Sequence, residues 1–405
     1  VTERTALGDL TILDFSRVLA GPFATMMLGD LGAEVIKVER PGIGDETRAW
    51  GPPHDAHGRS TYFQSVNRNK RSVEIDLSTD DGRASAHKLA DSADVLVENF
   101  RPDVMDSLGL GYETLHAAHP RLVYCSITGF GDGAGARLPG YDLLVQALGG
   151  LMSITGAPDG EPQKAGVALV DVLTGLYAST GILAALRHRD ATGEGQRVQV
   201  DLFSCLLASL VNQGSAYTVA GVVPRRMGNA HPSISPYELY PTGSGDLVLA
   251  VGNDRQFAAL WETLGAAELA TDPRFATNPL RVANRDQLRD TLVERLAARP
   301  AVEWATALID ARVPAGVVND IAGAFALARE IGLDPVVEVP DGETGDTVAL
   351  TRNPIGLSAT PPSYRSAPPP LGGGSTPERA QRPDGPTARE SPATQLVRRP
   401  DDPEG

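Results

Sequence analysis

One carboxylate stands out for the chemistry its surroundings allow. Asp171 lies in residues 166–177, GVALVDVLTGLY, among Val167, Leu169, Val170, Val172, Leu173 and Leu176, with no basic residue in the run. Burial among apolar side chains penalises the charged form of an acid, and so makes its carboxylate a better nucleophile and a better base. Such an aspartate can attack an activated carbonyl or take a proton. The same residue type also caps helices by accepting a backbone N–H in the first turn. A helical pattern follows over 172–187, so Asp171 reads also as its N-cap. The two roles are compatible, because a helix N-terminus stabilises negative charge beside it.

A second signal is a gathering of cations on an acidic chain. The 405 residues carry a formal net charge of -15, which argues against a general nucleic-acid binder. Arg17, Lys37, Arg40, Arg48, Arg68, Lys70, Arg71 and Arg101 nevertheless crowd the first part of the chain, at strand ends or in loops by the local pattern. The stretch 67–72, NRNKRS, is the densest patch. Solvated surface charge is one reading, and a phosphorylated ligand held by charge-assisted bonds is the other. Cys125 and Cys205 stand far apart without metal-ligand spacing, so both read as core residues, and no disulfide framework or metal site is expected.

The elements that must position these groups alternate in type. Over 9–130, strand patterns at 10–15, 33–38, 72–77, 93–97 and 122–127 interleave with helix patterns at 23–31, 80–91 and 104–108. That alternation predicts an α/β fold with a Rossmann-like, doubly wound parallel sheet. The first strand runs into Ser16-Arg17-Val18-Leu19-Ala20-Gly21 rather than G-x-G-x-x-G, so NAD is not expected. A strand at 197–201 and a helix ending near Ala220 follow the Asp171 helix. Beyond them, 225–330 reads as a smaller α/β domain, and DTVAL (346–350) as a strand returning to the large domain. The expected layout is therefore 1–224 completed by about 331–371, then 225–330 as the small domain. Residues 372–405 read as a disordered tail rich in Pro, Gly and charge. There is no basic-then-apolar leader pattern and no apolar run of about 18 residues, so a cytoplasmic location without membrane contact is expected.

Taken together, LDFSRVLAGPFATMMLGDLGAEVIKVERPG (13–42), NRNKRSVEIDL (67–77), DVLVENFRP (94–102), PGYDLLVQALGG (139–150) and GVALVDVLTGLYA (166–178) resemble the class III CoA-transferases, a superfamily that includes formyl-CoA:oxalate transferases and α-methylacyl-CoA racemases. The likeness covers about 8–371. Within it, GLMSITGAPDG (150–160), GNAHPSISPYELYPT (228–242) and VGNDRQF (251–257) are similar to succinyl-CoA:dicarboxylate, glutarate-type, transferases. The resemblance implies that Asp171 attacks an acyl-CoA thioester and later carries CoA as an aspartyl thioester. It implies CoA contacts from Val18, Leu19 and Ala20 after the first strand, and from Asn99, Phe100 and Arg101 after the fourth. Arg40 would meet the nucleotide phosphates, Ile75 would lie along the adenine, and Tyr141 would flank the pantetheine arm. An interlocked homodimer is implied as well.

Departures from the pattern narrow the substrates. Leu19 stands where oxalate enzymes carry glutamine, and 228–233 (GNAHPS) replaces their glycine-rich loop, so oxalate is not expected. His231 and Ser233 would instead meet the distal carboxylate of a longer diacid. Tyr141 stands where the racemases carry their histidine, and a phenol titrating near 10 is a poor base at neutral pH. Transfer is therefore preferred to racemisation, with a non-catalytic CoA binder as a further alternative. After Pro368-Pro369-Pro370-Leu371-Gly372 the chain lacks the apolar periodicity of the family's closing helix.

Overall fold

Short runs such as Val95-Leu96-Val97 and Val123-Tyr124-Cys125 have no charged interruption and suit strands covered on both faces. The computed structural model, which describes residues 5–373, places them at the centre of a parallel sheet. Its strands are β1 (Thr11–Asp14), β2 (Glu34–Glu39), β3 (Lys70–Glu74), β4 (Val95–Glu98), β5 (Val123–Thr128) and β6 (Arg197–Asp201). They lie in the order β3-β2-β1-β4-β5-β6, with every pairing parallel. The order reverses between β1 and β4, and in doubly wound sheets the crevice outside the strand ends at that point takes the ligand.

The period-2 alternation of strands separates two cores. Ile12, Val35, Val95, Val97, Val123 and Cys125 pack on one face with Ala20, Ala24, Leu28, Ala178, Ile182 and Ala185. Leu13, Ile36, Val38, Val73, Leu96 and Tyr124 pack on the other with Ala86, Leu89, Ala90 and Leu115. The first face is covered by α1 (Ala20–Asp30) and α3 (Leu169–Thr192), which pack on each other, with α2 (Asp142–Leu148) close to α3. Helix α1 starts earlier than its apolar pattern, because Pro22 is tolerated in a first turn. Helix α3 alone, among the described residues, is long and apolar enough to cross a bilayer by length and composition. Its Ala178, Ile182, Ala185 and Leu186 are instead spent on the sheet core.

A third apolar cluster, from Tyr240 to Val313, surrounds the antiparallel strands β7 (Tyr237–Pro241), β8 (Asp246–Ala250) and β9 (Ala315–Val317). The DTVAL stretch does not return to the large sheet. It becomes β11 (Thr347–Thr351) and pairs only with β10 (Val336–Pro340). What returns is the segment after it. Asn69 N–H donates to Ser366 O at 2.9 Å, Arg365 N–H to Asn69 Oδ1 at 2.7 Å, and Gly372 N–H to Ser72 Oγ at 3.1 Å. These bonds tie the returning segment to β3, the edge strand of the sheet, and to the residue before it. The expected disordered tail lies, from 374 onward, outside the described residues.

The basic patch is mostly internal, which corrects its reading as a phosphate cradle. Lys37 sits inside β2 and Lys70 opens β3, both fully buried, where they pair with Asp45 at 3.0 Å and Asp14 at 3.1 Å. Arg68 forks onto Asp30 at 2.8 and 2.6 Å. Arg48 does the same to Glu39 at 2.9 and 2.6 Å. Buried charges need partners of this kind, and the cations are consumed in supplying them.

Candidate active site

The loops after β1 and β4 meet at the reversal point and are stitched together. Arg17 N–H donates to Asn99 Oδ1 at 2.9 Å, and Asn99 Nδ2 donates back to Arg17 O at 2.7 Å. Glu98, at the end of β4, accepts the Phe100 N–H at 2.9 Å. Val18 has φ +69, a left-handed conformation that costs a β-branched residue about 1–3 kcal/mol. It is held there because its N–H donates to the Asp45 carboxylate at 3.2 Å. Lys37 anchors Asp45 and also donates to Ser16 O at 2.8 Å. The buried ion pair thereby shapes the loop that opens α1.

A cleft of about 200 Å³ opens at this point. Val18, Leu19, Ala20, Asn99, Phe100, Arg101, Tyr141 and Asp171 all line it. A second cavity of about 790 Å³ is lined by Arg40, Ile75 and Phe100. Arg17, Glu46 and Phe100 line both, so the two cavities adjoin, and Asp171 lines only the first. His231 and Ser233 line neither. His231 Nδ1 accepts the Ser233 N–H at 3.1 Å, and its ring tilts against Tyr237 at 5.2 Å, in the region of β7.

Asp171 is the third residue of α3 and not its N-cap, which is Ala168. The capping comes from another element. Asp142, at the start of α2, accepts the N–H groups of Val170 at 2.8 Å and Asp171 at 3.3 Å through Oδ1. Its Oδ2 accepts from Gln146 Nε2 at 2.6 Å, and Gln146, fully buried, accepts the Ala165 N–H at 2.9 Å. Among the described residues no side chain donates to the Asp171 carboxylate. Burial, and then the neighbouring Asp142 charge, push Asp171 up to about 7. The phenol of Tyr62 is pushed up to about 12 by burial and by Asp171, Asp142 and Asp45, so it stays a neutral donor beside them.

The family model for CoA-transferase family III matches residues 7–375. The chain belongs to that family. It is 44% identical to the succinate–glutarate CoA-transferase of Agrobacterium fabrum over 382 residues, covering 91% of this chain and 94% of the relative. It is 40% identical to the acetyl-CoA:oxalate CoA-transferase of Acetobacter aceti, covering 86% and 88%. Among solved structures, a CaiB/BaiF family protein from Brucella suis superposes with a TM-score of 0.81 at 43% identity, over 92% of this chain and 97% of that one.

For this family III CoA-transferase, the residues carried over from the resemblance line these two cavities apart from His231 and Ser233, while Asp142, Gln146 and Tyr62 were missed. Asp142 stands in the quoted PGYDLL stretch, where an acid directly after Tyr141 was an available signal. Tyr62, in STYFQ, offered none. Chemically, the arrangement presents a carboxylate without a cationic partner in the wall of the first cavity, with the second cavity adjoining. No histidine lines either cavity. Among the described residues no cluster of three or more His, Cys, Asp or Glu is placed to hold a metal ion.

Proposed function

We propose that the enzyme moves CoA from succinyl-CoA to a dicarboxylic acid through an acylated Asp171. The observation that carries this reading is the Asp171 carboxylate, free of side-chain donors, in the wall of the first cavity. The names of the Agrobacterium fabrum relative and of the Mus musculus succinyl-CoA:glutarate CoA-transferase, 43% identical, support the acid pair. An Asp171 oxygen attacks the thioester carbonyl carbon, the C–S bond breaks, and CoA leaves as thiolate. The mixed anhydride so formed is attacked by the thiolate at the aspartyl carbonyl, which releases the donor acid and leaves CoA on Asp171. The acceptor acid attacks this thioester, and the returning thiolate then completes the new acyl-CoA. Splitting the exchange keeps each step a single displacement, provided water is excluded.

In this reading, Val18, Leu19, Ala20, Asn99, Phe100, Arg101 and Tyr141 line the path of the pantetheine arm, while Arg40 and Ile75 meet the nucleotide. The layout is 1–224 with 331–371 as the CoA-binding domain and 225–330 as a smaller one, in a cytoplasmic homodimer. Support for the dimer comes from exposed apolar residues on α3 and in the helices after it, Leu176, Tyr177, Leu183, Val211, Tyr217 and Val219. His231 and Ser233 stand off the Asp171 cleft of their own chain, so as acid-binding residues they act from the partner subunit. Incubation with succinyl-CoA and a hydroxylamine quench tests the mechanism. A hydroxamate on the Asp171 peptide, absent in Asp171→Asn, is expected. CoA binding without any label on Asp171 across several donors removes the mechanism. An acceptor panel that includes oxalate tests the acid pair, and activity with monocarboxylates alone would rule it out. The racemase alternative lacks a cleft histidine, and deuterium uptake at C2 of a branched acyl-CoA would revive it.

A further inference from the structure

Asp142 does more than cap a helix. At the third helical position an acid ordinarily reaches back toward the free N–H groups of its own first turn. Here Asp142 has taken those of Val170 and Asp171, and Gln146 fixes its other oxygen. Two of the donors that could stabilise the Asp171 charge are therefore occupied, and a second carboxylate is bonded to its own backbone.

We propose that Asp142 is a positioning residue that holds ionised Asp171 in a destabilised ground state, and that acylation of Asp171 relieves that state. The inference rests on the reading of Asp171 as nucleophile. When an Asp171 oxygen bonds to the thioester carbon and the C–S bond breaks, the negative charge leaves Asp142's side on the departing thiolate. The anhydride left behind is neutral, so the repulsion present before the step is absent after it. Interactions that differ between ground state and transition state change the rate, whereas those common to both do not. Tight capping makes the effect dependable, since Asp142 cannot swing away without breaking its bonds to Gln146 and the helix end.

Other titratable or charged groups face the same place. Tyr62 approaches from the short helix Thr61–Ser65, and Arg17, Glu46, Arg101 and Tyr141 line the cleft, with Asp45 behind them. Arg17 is engaged by Glu46 at 3.5 Å. Asp142 alone of these is bonded to the Asp171 segment itself.

The test is the pH dependence of a single turnover of Asp171 acylation, read as hydroxylamine-trappable label. Wild type, Asp142→Asn and the double variant Asp142→Asn/Gln146→Glu are compared. Asn at 142 keeps an acceptor for the two helix N–H groups. In the double variant, Glu at 146 accepts both from the new amide and from Ala165, preserving the bonds while moving the charge off position 142. The wild-type acidic limb is expected near 7. In the variants it should move down by about one pH unit. They should label faster than wild type below the limb, and slower above it because the less basic carboxylate is the weaker nucleophile. A wild-type limb in the ordinary carboxylate range overturns the proposal. So does a limb that stays in place in whichever variant folds. No label on wild-type Asp171 removes the transferase mechanism, a result distinct from an unmoved limb.

Discussion

The fold contains two clusters of desolvated carboxylates, one buried and one half-buried at the cleft, that meet opposite fates. Beneath the β1 loop, Asp14 receives Lys70, the Ser16 and Thr25 hydroxyls and the Ser16 N–H. Burial opposes its charge, but Lys70 and Lys37 outweigh it and hold the carboxyl below the usual range. Asp45 behaves the same way, with Lys37 beside it. Within the same fold, Asp171 meets burial with no cation and a second acid for a neighbour, and its proton affinity rises. Residue type is constant across the comparison, so the partners supplied by other elements decide the chemistry. One cluster is a scaffold that sets the cleft loop, and the other is left unbalanced where a reactive group is needed.

The largest effect expected from breaking this contrast is at Asp171 itself. Asp171→Asn should lower turnover on the order of 10^3-fold or more, measured as acyl exchange. It should also raise the melting temperature at pH 7 and above while leaving it unchanged below about pH 4. The sign follows from linkage: the unfolded acid loses its proton near 4 and the folded one only at about 7, so the stability cost builds up between those values and is complete above them. A destabilised Asp171→Asn at high pH would mean that the aspartate is compensated after all.

The scaffold should respond in the opposite sense. Lys37→Met leaves Asp45 buried without its cation and should cost about 3–5 kcal/mol in denaturant unfolding. A cost under about 1 kcal/mol would show the pair to be dispensable. In the wild type, Asp14, Glu39 and Asp45 have depressed folded values. Their stabilisation is complete above the unfolded carboxylate range of about 4 and is lost as pH falls below it. Thermal melts below that range should show a steep decline that flattens in Lys37→Met. The smallest effect belongs to the exposed pair at the cleft mouth. Glu46→Gln breaks the 3.5 Å contact with Arg17 and should change stability by less than about 0.5 kcal/mol.

Much of this was legible in the chain. Alternating strand and helix patterns specified the parallel sheet, because a strand buried on both faces needs an uninterrupted apolar run. The family resemblance placed CoA contacts on the stretches after β1 and β4, and the structure brings Val18, Leu19, Ala20, Asn99, Phe100 and Arg101 into one cleft with Asp171. What misled was charge. NRNKRS reads as a surface for phosphates, yet Arg68 and Lys70 point inward to acids far away in sequence, Asp30 and Asp14. A one-residue change of facing moves a strand side chain from solvent to core, and local composition does not record which face is covered.

Asp171 shows where the division falls. Its apolar surroundings and its place at a helix start are written in residues 166–177, so the sequence alone identified the carboxylate that would be desolvated. Whether that carboxylate would be the cap, be neutralised by a cation, or be left bare was not written there. Asp142 precedes it by 29 residues and takes the cap through a contact between two helices. Lys37 and Lys70 are drawn to Asp45 and Asp14, away from it, by the pairing of β1, β2 and β3. Desolvation follows from neighbours along the chain, whereas compensation depends on neighbours in space.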